Sequence, residues 1–382
     1  MTTDASRPGA PRDETVPLAA EGDRPAQTLT FLRFGVPGAR PKAYVQASLH
    51  ADELPGLFVA RLLTGLLTEA AAAGRLRGEI VLAPVATPVG LTQLEGGYMQ
   101  GRVERASGRN FNRGFPDLAA AVAPRLAGRL GDDAAANVAL IRAEMTEALD
   151  ALRPADAFET LQRALLARAC DADFVLDLHA DNEALAHIYV GAPSWPDAAD
   201  LAAEIDARAV LLCGDSGGAP FDESCGEPWR KLAEGNPGAA IPQACLSATL
   251  ELRSNNAVDR TLAERDARAL YRFFTRRGLI DGDAGARPRL LADATPLAAM
   301  RRLEAPIEGL IDYRLRLGDT VRAGEAIAHI VPPFGEPVAI AAPIDGLLFA
   351  RHDQPWAWPG KTIGKVAGRG EAPGETRDAL TD

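Results

Sequence analysis

Five histidines are spread over the 382 residues, and two of them stand where a metal-dependent reaction could use them. His50 closes the apolar run Ala43–Leu49 and is trailed three residues on by Glu53, in Ser48-Leu-His-Ala-Asp-Glu-Leu-Pro-Gly56. A strand ending in a turn can aim an imidazole and a carboxylate at that spacing toward one point, and Pro55 suits the first turn of a helix. His179 ends a second apolar run, Phe174-Val-Leu-Asp-Leu-His-Ala-Asp181. Open α/β sheets gather ligands at the carboxyl ends of their strands, so the two imidazoles can meet there. Hydrolytic zinc sites combine three His or carboxylate ligands with one position left for water. Asp177 shares a strand face with His179 and reads either as its partner or as a buried polar group satisfied elsewhere.

Glu251 lies between apolar neighbours in Ala248-Thr-Leu-Glu-Leu-Arg253. An ionised carboxylate inside a strand is costly unless it is paired or functional. Two readings stay open: a group that acts on water, and a salt bridge to Arg253. Arg102, Arg105, Arg109 and Arg113 crowd a segment that ends Gly108-Arg-Asn-Phe-Asn-Arg-Gly-Phe-Pro-Asp117. Gly, Asn and Pro mark it as a loop, and a guanidinium beside an amide suits bidentate recognition of a carboxylate. Phe111 and Phe115 should anchor that loop against a core.

The elements that must carry these groups alternate along the chain. From Thr28 to about Gly282, apolar runs at Ala43–Leu49, Glu79–Pro84 and Phe174–Leu178 are interleaved with helical spacing at Leu57–Ala73, Ala134–Leu152, Phe158–Cys170 and Leu262–Phe274. This predicts an α/β domain with a mixed, mostly parallel central sheet flanked by helices. After Gly282–Pro288 the texture changes to short strands at Gly309–Leu315, Ala326–Val331, Val338–Ala341 and Gly346–Ala350, which predicts a smaller all-β C-terminal domain. The expected organisation is a flexible leader or edge extension over 1–27, a catalytic domain over 28–285, a β-rich domain over 286–370 and a flexible tail over 371–382.

Composition removes several classes. With 47% hydrophobic residues the chain can bury a large core, and a net charge of −11 without basic-aromatic clusters argues against nucleic acid or an anionic membrane as partner. The four cysteines are far apart with no CxxC pair, which fits a reducing cytoplasm and suggests neither a disulfide framework nor a thiolate zinc site. Neither a signal peptide nor an uninterrupted apolar run long enough to cross a bilayer is visible.

Taken together and in order, His50-x-x-Glu53, Asn112-Arg113, Asp177-Leu-His179 and Thr249-Leu-Glu251 resemble the motifs of the succinylglutamate desuccinylase/aspartoacylase family, relatives of the zinc carboxypeptidases. The resemblance covers about residues 40–280. It implies a zinc carboxypeptidase-like catalytic fold with one Zn²⁺ per chain held by His50, Glu53 and His179, and Glu251 as general base. It further implies that Asn112 and Arg113 bind a substrate carboxylate and that Arg105 helps polarise the scissile carbonyl, with Arg109 as a further contact. The expected reaction is hydrolysis of the amide bond of a small N-acyl amino acid or related carboxylate-bearing amide. Alternatives are a carboxypeptidase acting on short peptides and a non-catalytic binding protein of the same fold. In one respect the chain departs from the family, which often has Asp two residues before the Asn of Asn-Arg; here Asn110 stands there.

Ala305-Pro-Ile-Glu-Gly309, Leu317–Gly324 and Ala342-Pro-Ile-Asp-Gly346 resemble the barrel-sandwich fold of biotinyl and lipoyl carrier domains. A carrier needs a lysine at a hairpin tip, and the candidate tip Pro332-Pro-Phe-Gly-Glu-Pro337 has none, so the unit reads as structural, as a lid, or as a surface for a homo-oligomer. Gly214-Asp-Ser-Gly-Gly218 reproduces the nucleophile loop of trypsin-like proteases, but those are all-β barrels, and a Gly-rich turn is the expected reading. His187, His329 and His352 are left as ordinary core or surface histidines.

Overall fold

Apolar alternation along the strands divides the catalytic core into two faces. In this computed structural model, which describes residues 9–20 and 25–368, nine strands form one sheet: β1 (Arg12–Leu18), β2 (Gln27–Phe34), β3 (Lys42–Ala47), β4 (Glu79–Ala83), β5 (Phe174–Asp181), β6 (His187–Gly191), β7 (Ala209–Cys213), β8 (Leu246–Ser254) and β9 (Ala294–Pro296). Their order is β1-β2-β4-β3-β5-β8-β6-β7-β9. The β4-β3-β5-β8 centre is parallel, β6 runs antiparallel to β8, and β1 and β2 add an antiparallel edge. Tyr44 and Val175 point to one face, where they pack with α2 (Leu118–Leu126), α3 (Ala134–Ala151), α4 (Ala157–Ala169) and α6 (Phe221–Gly235). Val45 and Leu176, one residue on, point to the other face and pack with α1 (Leu54–Ala72), α5 (Ala199–Glu204) and α7 (Arg260–Arg276). The mixed, mostly parallel sheet between helices is therefore the one that the alternating runs predict.

The C-terminal unit is all-β. Two antiparallel sheets enclose a separate apolar core that includes Val321, Ile327, Ile330, Leu348 and Ile363. One sheet is ordered β10 (Met300–Glu304), β17 (Thr362–Gly368), β15 (Gly346–Arg351), β12 (Thr320–Val321); the other is β14 (Val338–Ala341), β13 (Ala326–Val331), β11 (Gly309–Tyr313), β16 (Trp356–Ala357). The tip between β13 and β14 carries Phe334, 93% exposed, where a carrier domain would need its lysine.

Within the leader, Arg12–Leu18 is a strand with full register along β2, because its alternating side chains bury Leu18 while its backbone covers the sheet edge; residues 1–8, 21–24 and the tail 371–382 lie outside the described residues. The unit boundary near residue 285 is crossed by β9, which pairs with β7 and so belongs to the large sheet.

Helix α1 is apolar enough over its 19 residues, at mean hydropathy 1.3, to match a membrane span by length and composition. That apolarity is used within the fold: Val59, Ala60, Leu63, Leu67 and Ala70 are buried against the sheet. Leu63→Ala should therefore cost about 3 kcal/mol of unfolding free energy, the usual range for a large-to-small core change, measured by chemical denaturation.

Candidate metal centre

The chain brings His50, Glu53 and His179 together by local geometry at the ends of β3 and β5. Ser48, just past β3, adopts a left-handed backbone (φ 57°) that turns the chain before His50. Such backbone strain is found where a site over-determines it. Helix α1 then starts with Glu53 as its N-cap residue, and Pro55 sits in the first turn. The Glu53 side chain makes no capping bond and is free to face the site, where the partial positive charge of the helix N-terminus favours a carboxylate. Gly56 lets α1 approach β5: a Cβ there would lie 2.9 Å from the Leu178 carbonyl oxygen, one residue before His179.

Ligand atoms from the three residues lie within 4.8 Å of one another, all buried. Glu53 Oε1 is 2.9 Å from His50 Nδ1, and Oε2 is 2.7 Å from His179 Nδ1. The Ala180 N–H donates to Oε2 at 3.0 Å, and Arg102 donates to Oε1 at 3.4 Å. Both rings thus turn Nδ1 inward and Nε2 outward. His50 Nε2 meets Asn110 Oδ1 at 2.9 Å, and His179 Nε2 lies 3.1 Å from Asp177 Oδ2. Neither Asp177 oxygen completes an aligned hydrogen bond, so that pair is set by charge. Outer acceptors of this kind fix the tautomer that leaves the inner nitrogen free to bind a metal. The departure at position 110 is accommodated in this way: an amide oxygen supplies the acceptor that His50 needs, and it also receives the Asn112 N–H at 2.8 Å.

The charges agree with this layout. Burial pushes the Glu53 carboxyl up, but His179 and His50 together carry it well below the ordinary value. Burial pulls His179 down, and Asp177 with Glu53 more than reverses that, holding it well above an ordinary histidine. Two imidazoles and one carboxylate around a common point form a donor set suited to zinc or a similar divalent ion.

Glu251 is on β8, beside His179 in register. The strand bulges immediately after it, with Arg253 in the left-handed region (φ 71°). Arg253 pairs with Asp266 on α7, not with Glu251. Glu251 Oε2 is buried without a hydrogen-bond partner, and burial followed by the nearby Glu53 charge pushes its carboxyl up to about 8. His50, Glu53, His179 and Glu251 open on one cavity of about 80 Å³, shared with Asn112, Arg113, Asp222, Tyr189 and, from the β unit, Arg302 and Lys365.

The arginine loop separates into two sets. Phe111 stacks on Phe158 and Phe115 meets Phe221 edge-on, so both aromatic anchors are buried. The Asn112 side chain accepts from the Phe221 N–H at 2.8 Å, and Gly114 and Phe115 bond to the carbonyls of Gly218 and Ala219. Gly218 (φ +72°) has no room for a side chain, since a Cβ would lie 2.7 Å from Arg113 Cδ. The Gly214–Gly218 segment is thus a turn that supports Arg113, and Ser216 Oγ meets no imidazole. Arg102 and Arg113 line the cavity; Arg105 and Arg109 do not. Arg105 bonds to the Leu94 carbonyl at 2.9 Å with its side chain half exposed, and Arg109 pairs with Asp156 and Glu104 over the Phe158 ring. Arg102, Asn110, Arg302 and Lys365 carried no assignment from sequence; Arg102, in the arginine run, and Asn110, the departure from the family pattern, had a signal there, and the two cations of the β unit had none.

A buried His–Glu–His cradle at the carboxyl ends of a mostly parallel sheet is a layout in which α/β hydrolases hold a divalent ion. The family model of the succinylglutamate desuccinylase/aspartoacylase catalytic domain matches residues 39–276, and the chain belongs to that family of amide-cleaving hydrolases. Crystal structures of family proteins from Shewanella frigidimarina and Shewanella amazonensis are similar to it at TM-score 0.81, with 26% and 25% identity, over 94% of this chain and 98% and 99% of theirs. The product-bound ectoine utilization protein EutE of Ruegeria pomeroyi shares the fold at TM-score 0.66 and 15% identity, over 96% of this chain and 97% of that one. No curated protein matches.

Asn110→Ala should weaken metal affinity by about 10- to 100-fold, the usual cost of losing an outer partner of a ligating histidine. Because a ligating imidazole must give up its inner proton, and Asp177 with Glu53 raises His179 well above the ordinary value, metal uptake should be accompanied by proton release and weaken as pH falls. Calorimetric metal titration in buffers of different ionisation enthalpy reads both effects.

Proposed function

We propose that the protein is a zinc-dependent deacylase that hydrolyses the amide bond of a small N-acyl amino acid or a related carboxylate-bearing amide. The observation that carries this reading is Glu251, a half-buried side chain whose one buried oxygen has no hydrogen-bond partner, on the same small cavity as the His50–Glu53–His179 cradle. Pure binding does not require such a group. Zinc held by the cradle would supply a lowered water pKa and a polarised amide carbonyl. Glu251 takes the proton of the attacking water and returns it to the leaving nitrogen. Arg113, seated by Gly218 and Asn112, holds the substrate carboxylate in bidentate fashion.

For the oxyanion we assign Arg102 in place of Arg105, because Arg102 stands on the cavity wall within reach of Glu53 and Arg105 is bonded elsewhere. A cavity of about 80 Å³, walled on one side by the β unit, favours small amides over long peptides. Four free, buried cysteines agree with a cytoplasmic location, which we also propose.

A panel of N-acyl amino acids and one long unstructured peptide tests the reading. Zinc-loaded protein should cleave members of the panel and spare the peptide, and a chelator should abolish turnover. Glu251→Gln should lower kcat by at least about 100-fold, the floor for losing a general base, with metal content retained. Rapid peptide cleavage, or full activity of the Gln variant, would overturn it. The two arginines separate in the same assay: Arg102→Met should cost about 100-fold in kcat, as for one lost oxyanion donor, while Arg105→Met should stay within about twofold, as expected of a surface change.

A further inference from the structure

One cation of the cavity wall is carried by neither a helix nor a strand. Arg102 lies on a loop, its side chain is 42% exposed, and its contact to Glu53 at 3.4 Å is long for a charge-assisted hydrogen bond. Where its guanidinium can reach therefore depends on how the backbone around residue 102 is held. Two backbone bonds fix that segment on one side: the Ala51 N–H donates to the Gly101 carbonyl and the Phe111 N–H to the Arg102 carbonyl, both at 3.1 Å. The fit against the His50–Glu53 turn is close, since a Cβ on Gly101 would lie 2.4 Å from the Asp52 nitrogen. A neutral side chain fixes the segment on the other side. Gln93 Nε2 donates to the carbonyls of Gln100 and Val103, each at 2.7 Å, and Gln93 Oε1 accepts the Arg105 N–H at 2.8 Å. The Gln93 carbonyl also accepts the Gln100 N–H at 2.8 Å. Both amide hydrogens and the amide oxygen thus engage the chain just before and just after Arg102, at the base of a short hairpin that pairs Leu94 with Met99 and Glu95 with Tyr98. The Arg105 side chain bonds to the Leu94 carbonyl, further out along that hairpin.

We infer that Gln93 is a positioning residue for Arg102: its carboxamide clamps the chain on either side of Arg102 and so holds that guanidinium at the metal cavity. The inference rests on the deacylase reading for the step that Arg102 serves, and on the hydrogen bonds for the clamp. An amide of this length is required, because a carboxylate has no hydrogen to give the two carbonyls and Asn is one methylene short.

The experiment uses the zinc-loaded full chain and the panel amide that it cleaves fastest. Gln93→Leu should lower kcat by about 10- to 100-fold with KM within about threefold, as expected when a group that acts in the transition state is displaced by about an ångström. Gln93→Glu should lose as much. In an Arg102→Met background, Gln93→Leu should cost no more than about a further twofold, because it acts through a group already removed. A purely structural role would instead give losses that add. Acetate binding, read by calorimetry, repeats the cycle without turnover: Arg102→Met and Gln93→Leu should each weaken it by about tenfold, the range for one hydrogen bond to a charged group, and the double variant no further. Losses in kcat that add, an effect confined to KM, or unfolding of both Gln93 variants would overturn the assignment. Absence of turnover on every amide would remove the deacylase reading, and acetate that binds Gln93→Leu as tightly as wild type would still overturn the clamp.

Discussion

Glu53 is 2% exposed, and an isolated ionised carboxylate at that depth would be prohibitively expensive. Its charge is met from four directions: two imidazoles, the Ala180 N–H and the Arg102 guanidinium. The partners come from three pieces of chain, the end of β3 (His50), the end of β5 (His179 and Ala180) and the arginine loop (Arg102), so the sheet order, the close approach at Gly56 and the turn at Ser48 all serve to deliver them to one carboxylate. The same set that makes the buried charge tolerable is the set that can exchange a proton for a divalent ion. Stability and metal binding therefore draw on the same contacts.

The β unit is tied into this arrangement directly. Immediately after Asp181 the chain forms the two-residue strand Glu183–Ala184, which pairs with β15 of the β unit. Glu183 also meets Arg351, and a small apolar core that includes Tyr189, Leu211, Met300 and Phe349 fills the junction. The segment that carries His179 thus pairs with the second unit before it returns to the large sheet at β6. The all-β unit lacks the carrier lysine, and its strands β10 and β17 bring Arg302 and Lys365 to the cavity wall.

The elements that buried apolar side chains with a clear period were legible in the sequence. The α1, α3, α4 and α7 helices and strands β3, β4, β5, β13 and β14 lie within a few residues of their expected positions. Helix α6 was not foreseen, since Gly226 and Pro228 inside it read as helix breakers, and β1 was obscured by its half-exposed, polar face. At the site, His50, Glu53 and His179 could be found because each ends or follows an apolar run. The arginines could not be told apart, because a loop has no period: which of Arg102, Arg105, Arg109 and Arg113 faces inward depends on the anchoring of Phe111 and Phe115 and on bonds to the distant Gly218 segment. Arg302 and Lys365 had no local signal, for their position depends on how one unit docks on the other.

Glu251 shows how the site's parts depend on each other electrostatically. In the metal-free protein its carboxyl sits at about 8, because burial and the Glu53 charge both oppose ionisation while His179 only partly compensates. A general base must be ionised to act, so this environment alone would leave Glu251 largely protonated at neutral pH. A bound divalent cation reverses the local sign, as large local charges do in low-dielectric sites. Lys365 also favours the ionised form from the β unit, and Asp181 opposes it. In the proposed reaction, a cation in the cradle would therefore favour the ionised form that Glu251 needs as base.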